Sequence, residues 1–178
     1  MPATQEITES LIRDNIVRAM TDVFKTMLST GVKLSDTTEP GKAKGWPPLA
    51  PESPEQATAQ VVGTVGFLGD ANGLIYLYFD IDFATSCTMH ILGMTKAELD
   101  EGGDEFVNDA VGELTNMIVG SFKNGLCDQG YPCKLTIPSI LRGRNFCVEP
   151  ISSAKRNIYQ FESGGHRVVA DILMNNED

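Results

Sequence analysis

The sequence predicts an α+β domain that ends in an antiparallel group of strands, and three observations carry that expectation. Thr8–Thr30 and Asp104–Phe122 both repeat apolar residues at helical spacing over several turns. β-Branched and aromatic runs bounded by Gly, Asn and Pro occupy Ala59–Phe79 and the stretch after Cys133. Helices and strands thus interleave, and the last strands are separated only by turns, unlike the regular crossovers of a parallel sheet.

The first helix is read from Leu11, Ile12, Ile16, Val17, Met20, Val23, Phe24 and Met27, with Gly31 where a C-terminal stop is expected. Leu34–Ala57 then changes character. Pro40, Gly41, Gly45, Pro47, Pro48, Pro51 and Pro54 break any long helix or central strand, so residues 31–56 read as a long connection with room for one short edge strand. Trp46, the sole tryptophan, either anchors this connection on the core or waits for a partner, and the anchor is the simpler reading. Ala59–Leu68 and Gly73–Phe79 flank the turn-rich tetrad Gly69-Asp70-Ala71-Asn72 and predict a hairpin. Ile81–Leu92 reads as a helix ended by Gly93, and Thr95–Asp100 as a short one opened by a capping box of Thr95 and Glu98. After the central helix, strands are expected at Cys133–Ile137, Asn145–Val148, Ile158–Glu162 and Val168–Met174, with Gly164-Gly165-His166 as a hairpin turn. Phe146, Tyr159 and Phe161 are then core or sheet-face aromatics.

With 178 residues and 42% hydrophobic content the chain buries one core, and a single domain over residues 1–178 is expected. A net charge of −10 and a pI near 4.6, without any Lys/Arg cluster, argue against nucleic acid as partner. No uncharged run reaches the 18 or so apolar residues that span a bilayer, and the acidic, amphipathic start is unlike a secretory signal, so no membrane association and a cytoplasmic location are expected. Cys87, Cys127, Cys133 and Cys147 form no CxxC pair and have no histidine at metal-ligand spacing; they read as free, buried thiols rather than a zinc site. His90 and His166 have no neighbours that suggest a triad or metal and read as structural, and no GxGxxG, Walker A or GxSxG motif is present.

Chemistry concentrates on the central helix. At about 100° per residue, Val107, Ala110, Val111, Leu114, Met117, Ile118 and Phe122 share an arc of roughly 140°, a core-facing stripe. Asp109, Glu113, Asn116 and Gly120 fall on nearly the opposite face, where residues three and four apart touch. Glycine inside a helix costs about 1 kcal/mol relative to alanine, and Gly112 repeats the anomaly on the flank. A bare backbone beside Asn116 lets another protein approach closely. The wheel alone does not decide between such a docking face and an ordinary solvated one.

Asp109-x3-Glu113-x2-Asn116, followed by Pro138 after a turn-and-strand interval, resembles the signature of the CheC/CheX/FliY phosphatases of bacterial chemotaxis. The string Ala110-Val-Gly-Glu-Leu-Thr-Asn-Met-Ile-Val-Gly120 is similar to the helix that carries this motif in CheX. The likeness runs from Ala59 to the C-terminus, with a long leading helix also expected. Only one Glu-x-x-Asn helix is present, since Ile81–Leu92 lacks the pair, and this resembles CheX rather than the duplicated CheC chains.

The resemblance implies a CheC/CheX-like fold, with long helices packed on a mostly antiparallel sheet, and a homodimer with one active helix per subunit. It implies hydrolysis of the phospho-aspartyl group on a CheY-like response regulator, in chemotaxis or another two-component system. Asn116 then orients the attacking water, Glu113 pairs with the receiver's lysine, and Asp109, Gly120 and Pro138 belong to the motif and docking rim. No cofactor is expected on this chain, and Mg²⁺ is expected in the partner receiver domain. Two readings stand beside it: a non-catalytic module that binds a receiver or a flagellar switch component, and a chance likeness of an outward helix.

Overall fold

The computed structural model describes residues 6–38, 59–144 and 148–175, and within them the chain follows the predicted order. α1 (Glu9–Leu28) starts at Thr8, whose hydroxyl accepts from the Leu11 N–H, and ends at Ser29 in the left-handed region with φ 52°. The stop therefore falls two residues before Gly31. Its apolar stripe, Ile12, Ile16, Ala19, Met20, Val23 and Phe24, is buried.

β1 (Lys33–Thr38) is the short edge strand for which the connection left room, antiparallel to β6 (Ala154–Ser163). The prolines from Pro40 to Pro54 and Trp46 lie outside the described residues. β2 (Gln60–Gly69) and β3 (Gly73–Asp80) form the predicted hairpin in register from Gln60↔Asp80 to Phe67↔Gly73, and Asn72 Oδ1 closes its turn by accepting from the Gly69 N–H at 3.0 Å. α2 (Ile81–Leu92) is capped by Asp80 Oδ1, which accepts from Phe83 N–H at 2.7 Å. Asp80 Oδ2 faces His166 Nδ1 at 3.2 Å, and the His166 ring stacks on Phe83 with centroids 4.8 Å apart, so this histidine braces the start of α2. α3 (Lys96–Gly102) carries the Thr95/Glu98 capping box in full. α4 (Asp104–Asp128) runs two turns beyond the expected end at Phe122, because Leu126 continues the buried stripe.

The C-terminal half departs from expectation in the strands that directly follow α4. The run predicted over Cys133–Ile137 ends at Leu135 as β4 (Cys133–Leu135), and a further strand, β5 (Ser139–Gly143), follows Pro138. Proline has no N–H to give to a ladder, so the edge is interrupted there. Thr136 bridges the gap: its N–H donates to Gly66 O at 2.8 Å, and its hydroxyl accepts from Gly66 N–H at 2.9 Å. Residues 145–147, most of the expected Asn145–Val148 strand, lie outside the described residues, and Val148 is not in a strand. β6 and β7 (His166–Asn175) form a ten-residue hairpin over Gly164 and Gly165, which both take positive φ.

These strands form one sheet in the order β1-β6-β7-β3-β2, every pairing antiparallel, with β4 and β5 sharing the outer edge of β2. α1, α2 and α4 cover one face, where Phe24, Phe67, Phe79, Phe122, Tyr159 and Phe161 meet in the main core. The other face holds a smaller cluster of Val62, Tyr78, Ile158 and Val169. Beside it lies an ion pair, Arg156 Nε to Asp171 Oδ1 at 2.9 Å and Nη2 to Oδ2 at 2.7 Å, with both side chains almost without solvent contact. Burial pushes the Asp171 carboxyl up, and the two guanidinium bonds work against that shift. No helix among the described residues is long and apolar enough to cross a membrane.

Removing one partner of a buried, bidentate pair strands a charge and costs about 3–5 kcal/mol, whereas replacing both with apolar groups is often neutral. Arg156→Met is therefore expected to lower unfolding free energy by that amount in urea titration, with Arg156→Met/Asp171→Leu recovering most of it.

Candidate functional site

α4 presents the site, and its seating on the sheet decides which side chains meet solvent. The helix lies over β2, β4 and β5, with α1 and α2 packed beside it. A Cβ added at Gly63 in β2 would overlap Thr115 Oγ1 and sit 2.8 Å from Thr115 Cβ, so the helix rests directly on the strand backbone. Thr115 is fully buried because its hydroxyl is satisfied within the helix, donating to Val111 O at 2.7 Å. Near the other end, a Cβ at Gly125 would overlap Asn15 Oδ1 of α1. Arg18 of α1 also donates to Ser121 Oγ at 3.1 Å and Ser121 O at 2.8 Å.

This seating shifts the buried arc from the one the helical wheel outlines. Thr115, Val119 and Leu126 join Val107, Ala110, Val111, Leu114, Ile118 and Phe122 inside. Met117, expected in the core, is 40% exposed. It lies at the margin of the apolar stripe, and the side of α4 turned toward β2 and the other helices is the opposite margin. Asp109 and Glu113 are exposed, Asn116 and Gly120 half-buried, all on the face away from the core. Among the described residues neither Asp109 nor Glu113 is engaged in an ion pair.

Pro138 comes to the same edge. A Cβ at Gly120 would lie 3.6 Å from Leu135 Cδ1, and one at Gly112 would lie 3.9 Å from Ile140 Cδ1. The segment from Leu135 to Ile140 therefore runs alongside the helix in the opposite direction, with the Thr136–Pro138 break between its contacts at Gly120 and Gly112. Both hypothetical contacts are ordinary van der Waals distances, so packing within the chain does not require glycine at either position. Arg142 of β5 fixes this edge to the first turn of α4: Nε donates to Asn108 Oδ1 at 2.7 Å, Nη2 to Asp104 O at 3.2 Å, and Nη1 pairs with Asp104 Oδ1 at 3.2 Å.

The structure also shows apolar residues on this surface that the sequence reading did not select. Ile137 is 87% exposed in the break, and Phe106 and Met117 emerge on the other flank of Asp109 and Glu113. Phe106, Asp109 and Glu113 stand at helical i, i+3, i+7 spacing, a signal present in the wheel itself. The surface thus combines a carboxylate and a carboxamide one turn apart, a rigid proline edge and an apolar rim. It can hold a small polar molecule at the amide and a cation at the carboxylate.

Comparison with known proteins bears on the family and the fold. The family model described as chemotaxis phosphatase CheX matches residues 61–162, more than half of the chain. No curated protein matches the sequence. Among solved structures, a CheC-like superfamily protein from Shewanella sp. PV-4 is 25% identical, with a TM-score of 0.72 over 95% of this chain and 100% of the other. Chemotaxis protein CheX from Desulfovibrio desulfuricans is 20% identical, with a TM-score of 0.70 over 92% and 99%. The CheX-CheY-BeF3-Mg²⁺ complex from Borrelia burgdorferi contains a chain 22% identical, with a TM-score of 0.66 over 93% and 98%.

The contact under Thr115 gives a direct test of how the helix is seated. A methyl group at Gly63 must displace α4 or its threonine, and overpacking of this kind costs about 1–3 kcal/mol. Gly63→Ala is expected to lower the urea midpoint accordingly, and Thr115→Ala in the same chain to recover part of the loss.

Proposed function

The chain belongs to the chemotaxis phosphatase family CheX, and on that footing we propose that it hydrolyses the phospho-aspartyl group of a CheY-like response regulator by holding the attacking water on Asn116. The observation that carries this reading is the joint accessibility of Glu113 and Asn116 on a helix whose other side is locked into the core.

An acyl phosphate is already activated, so the phosphatase has little covalent chemistry to perform. A loose phosphoryl-transfer transition state asks for an in-line nucleophile and for charge stabilisation. The carboxamide of Asn116 meets the first need: it accepts one hydrogen bond and donates another to a single water at neutral pH, and does not itself attack. That water adds to phosphorus as the bond from phosphorus to the aspartyl oxygen breaks. The aspartate leaves as its carboxylate, and a water proton passes to the departing phosphate. Fixing the water converts an encounter with bulk solvent into a positioned step. The receiver supplies Mg²⁺ and a lysine for the charge.

Glu113 pairs with that lysine and sets the register of the complex. Because it is engaged in no ion pair among the described residues, its charge is available to a visitor. Gly120 and Gly112, unneeded for internal packing, leave the helix backbone open to close approach. Asp109 and Pro138 form the rim. A homodimer with one active helix per subunit is part of the same reading, as the resemblance to CheX implies; the single Glu-x-x-Asn helix fits CheX rather than duplicated CheC chains.

Purified protein is incubated with a panel of acetyl-phosphate-labelled receivers and release of phosphate is followed. Accelerated release from at least one receiver is expected. Asn116→Ala should abolish the acceleration while the complex still forms, and Glu113→Ala should weaken the complex itself by a few kcal/mol, the scale of a truncated interfacial charge pair. Full activity in Asn116→Ala would overturn the role of that residue, and binding without any acceleration in the wild type would make the protein a non-catalytic receiver-binding module.

A further inference from the structure

Outside the helix face, the described residues bring two nucleophilic side chains together where α4 turns into β4. Cys127 stands in the last turn of α4, and Cys133 opens β4. The Cys127 thiol donates to the Cys133 carbonyl oxygen across 3.9 Å, which brings the Cys127 side chain against the first residue of β4. The turn between them is closed by the backbone: Gly130 N–H donates to Cys127 O at 3.0 Å, Tyr131 N–H donates to Leu126 O at 3.0 Å, and Gly130 takes the left-handed φ of 93°. The fold has therefore already closed the short loop that separates the two cysteines. Cys127 is half-buried and reachable by a small oxidant, while Cys133 is buried.

We propose that Cys127 and Cys133 are a redox modification site, joined reversibly by a hydroperoxide in a disulfide that staples the end of α4 to β4. Burial, reinforced by the neighbouring Cys127 thiol, pushes the Cys133 thiol up to about 11, so it stays protonated at neutral pH. The more accessible Cys127 meets the oxidant first. Its sulfur attacks the hydroperoxide, the O–O bond breaks, and the leaving oxygen departs with the thiol proton as water or alcohol, giving a sulfenic acid. The Cys133 sulfur then attacks the Cys127 sulfur, the S–O bond breaks, and the hydroxyl leaves as water with the Cys133 proton. Two thiols have lost two electrons and the peroxide has gained them. Cytosolic disulfides of this kind are characteristically transient and reversed by thiol reductants. β4 leads through Leu135 into the Thr136–Pro138 break, so the staple tethers the strand that forms the edge beside Asn116.

The sequence makes the test direct, because cleavage after Lys123 and Lys134 leaves both cysteines in one tryptic peptide, Asn124–Lys134. Full-length protein is treated with hydrogen peroxide, blocked with N-ethylmaleimide, digested and mapped by mass spectrometry. The peptide is expected to lose two hydrogens and to take up no maleimide, and dithiothreitol before blocking should restore two additions. In Cys133→Ser, Cys127 is expected to remain as a sulfenic acid that dimedone traps. Full maleimide uptake by both thiols after peroxide, independent over-oxidation of either sulfur, or a crosslink to Cys147 would each overturn the proposal. The wild-type map decides the matter even if the variant fails to fold.

Discussion

The contact between the backbone of β2 at Gly63 and Thr115 of α4 is the constraint on which the surface depends. A helix of 25 residues is about 38 Å long, and one contact does not hold such a rod in register. Here Arg142 grips the first turn, Gly63 receives the middle, and Asn15 with Arg18 closes on the last third. Turning α4 by a single residue would rotate every side chain by about 100° and drive Asn116 toward the core or away from the proline edge. Close packing on one side is thus what gives the other side a fixed address.

The edge of β2 is built with the same economy of parts. A continuous partner strand would have left a plain ladder beside the helix. Pro138 cannot complete that ladder, so β4 and β5 separate and Thr136 satisfies Gly66 with one backbone and one side-chain bond. The result is a break that carries Ile137 into solvent. The proposed site lies along this edge and not at the centre of the sheet, whose far face buries the Arg156–Asp171 pair.

This arrangement suits a reaction that asks for positioning more than for chemical force. Asp109 and Glu113 are solvated carboxylates and Asn116 is an uncharged amide. None is a nucleophile activated by a neighbouring base. A rigid amide, a register-setting charge and an accessible backbone are sufficient only when the partner brings an activated bond. The chain belongs to the CheX family, and the seating of α4 leaves Glu113 and Asn116 on the face away from the core. At the far end of α4 the Cys127 thiol donates to the Cys133 carbonyl oxygen where the edge strand begins.

What the sequence by itself determined was local. The period of Leu11 to Met27, the Thr95/Glu98 capping box, the tetrad from Gly69 to Asn72 and the turn at Gly164 each depend on residues close in the chain, and they emerged where expected. The Asp109, Glu113 and Asn116 face was legible for the same reason, since one helix holds all three. Tertiary structure decided the rest. The side of α4 that is buried is set by the strand and helices it meets, which is why Thr115 lies inside and Met117 outside. The split of the β2 edge into β4 and β5 on either side of Pro138 required a pairing partner some 70 residues earlier in the chain. Spacing along a sequence reports a repeat and its phase, but the direction of burial is a property of the surface against which that repeat is pressed.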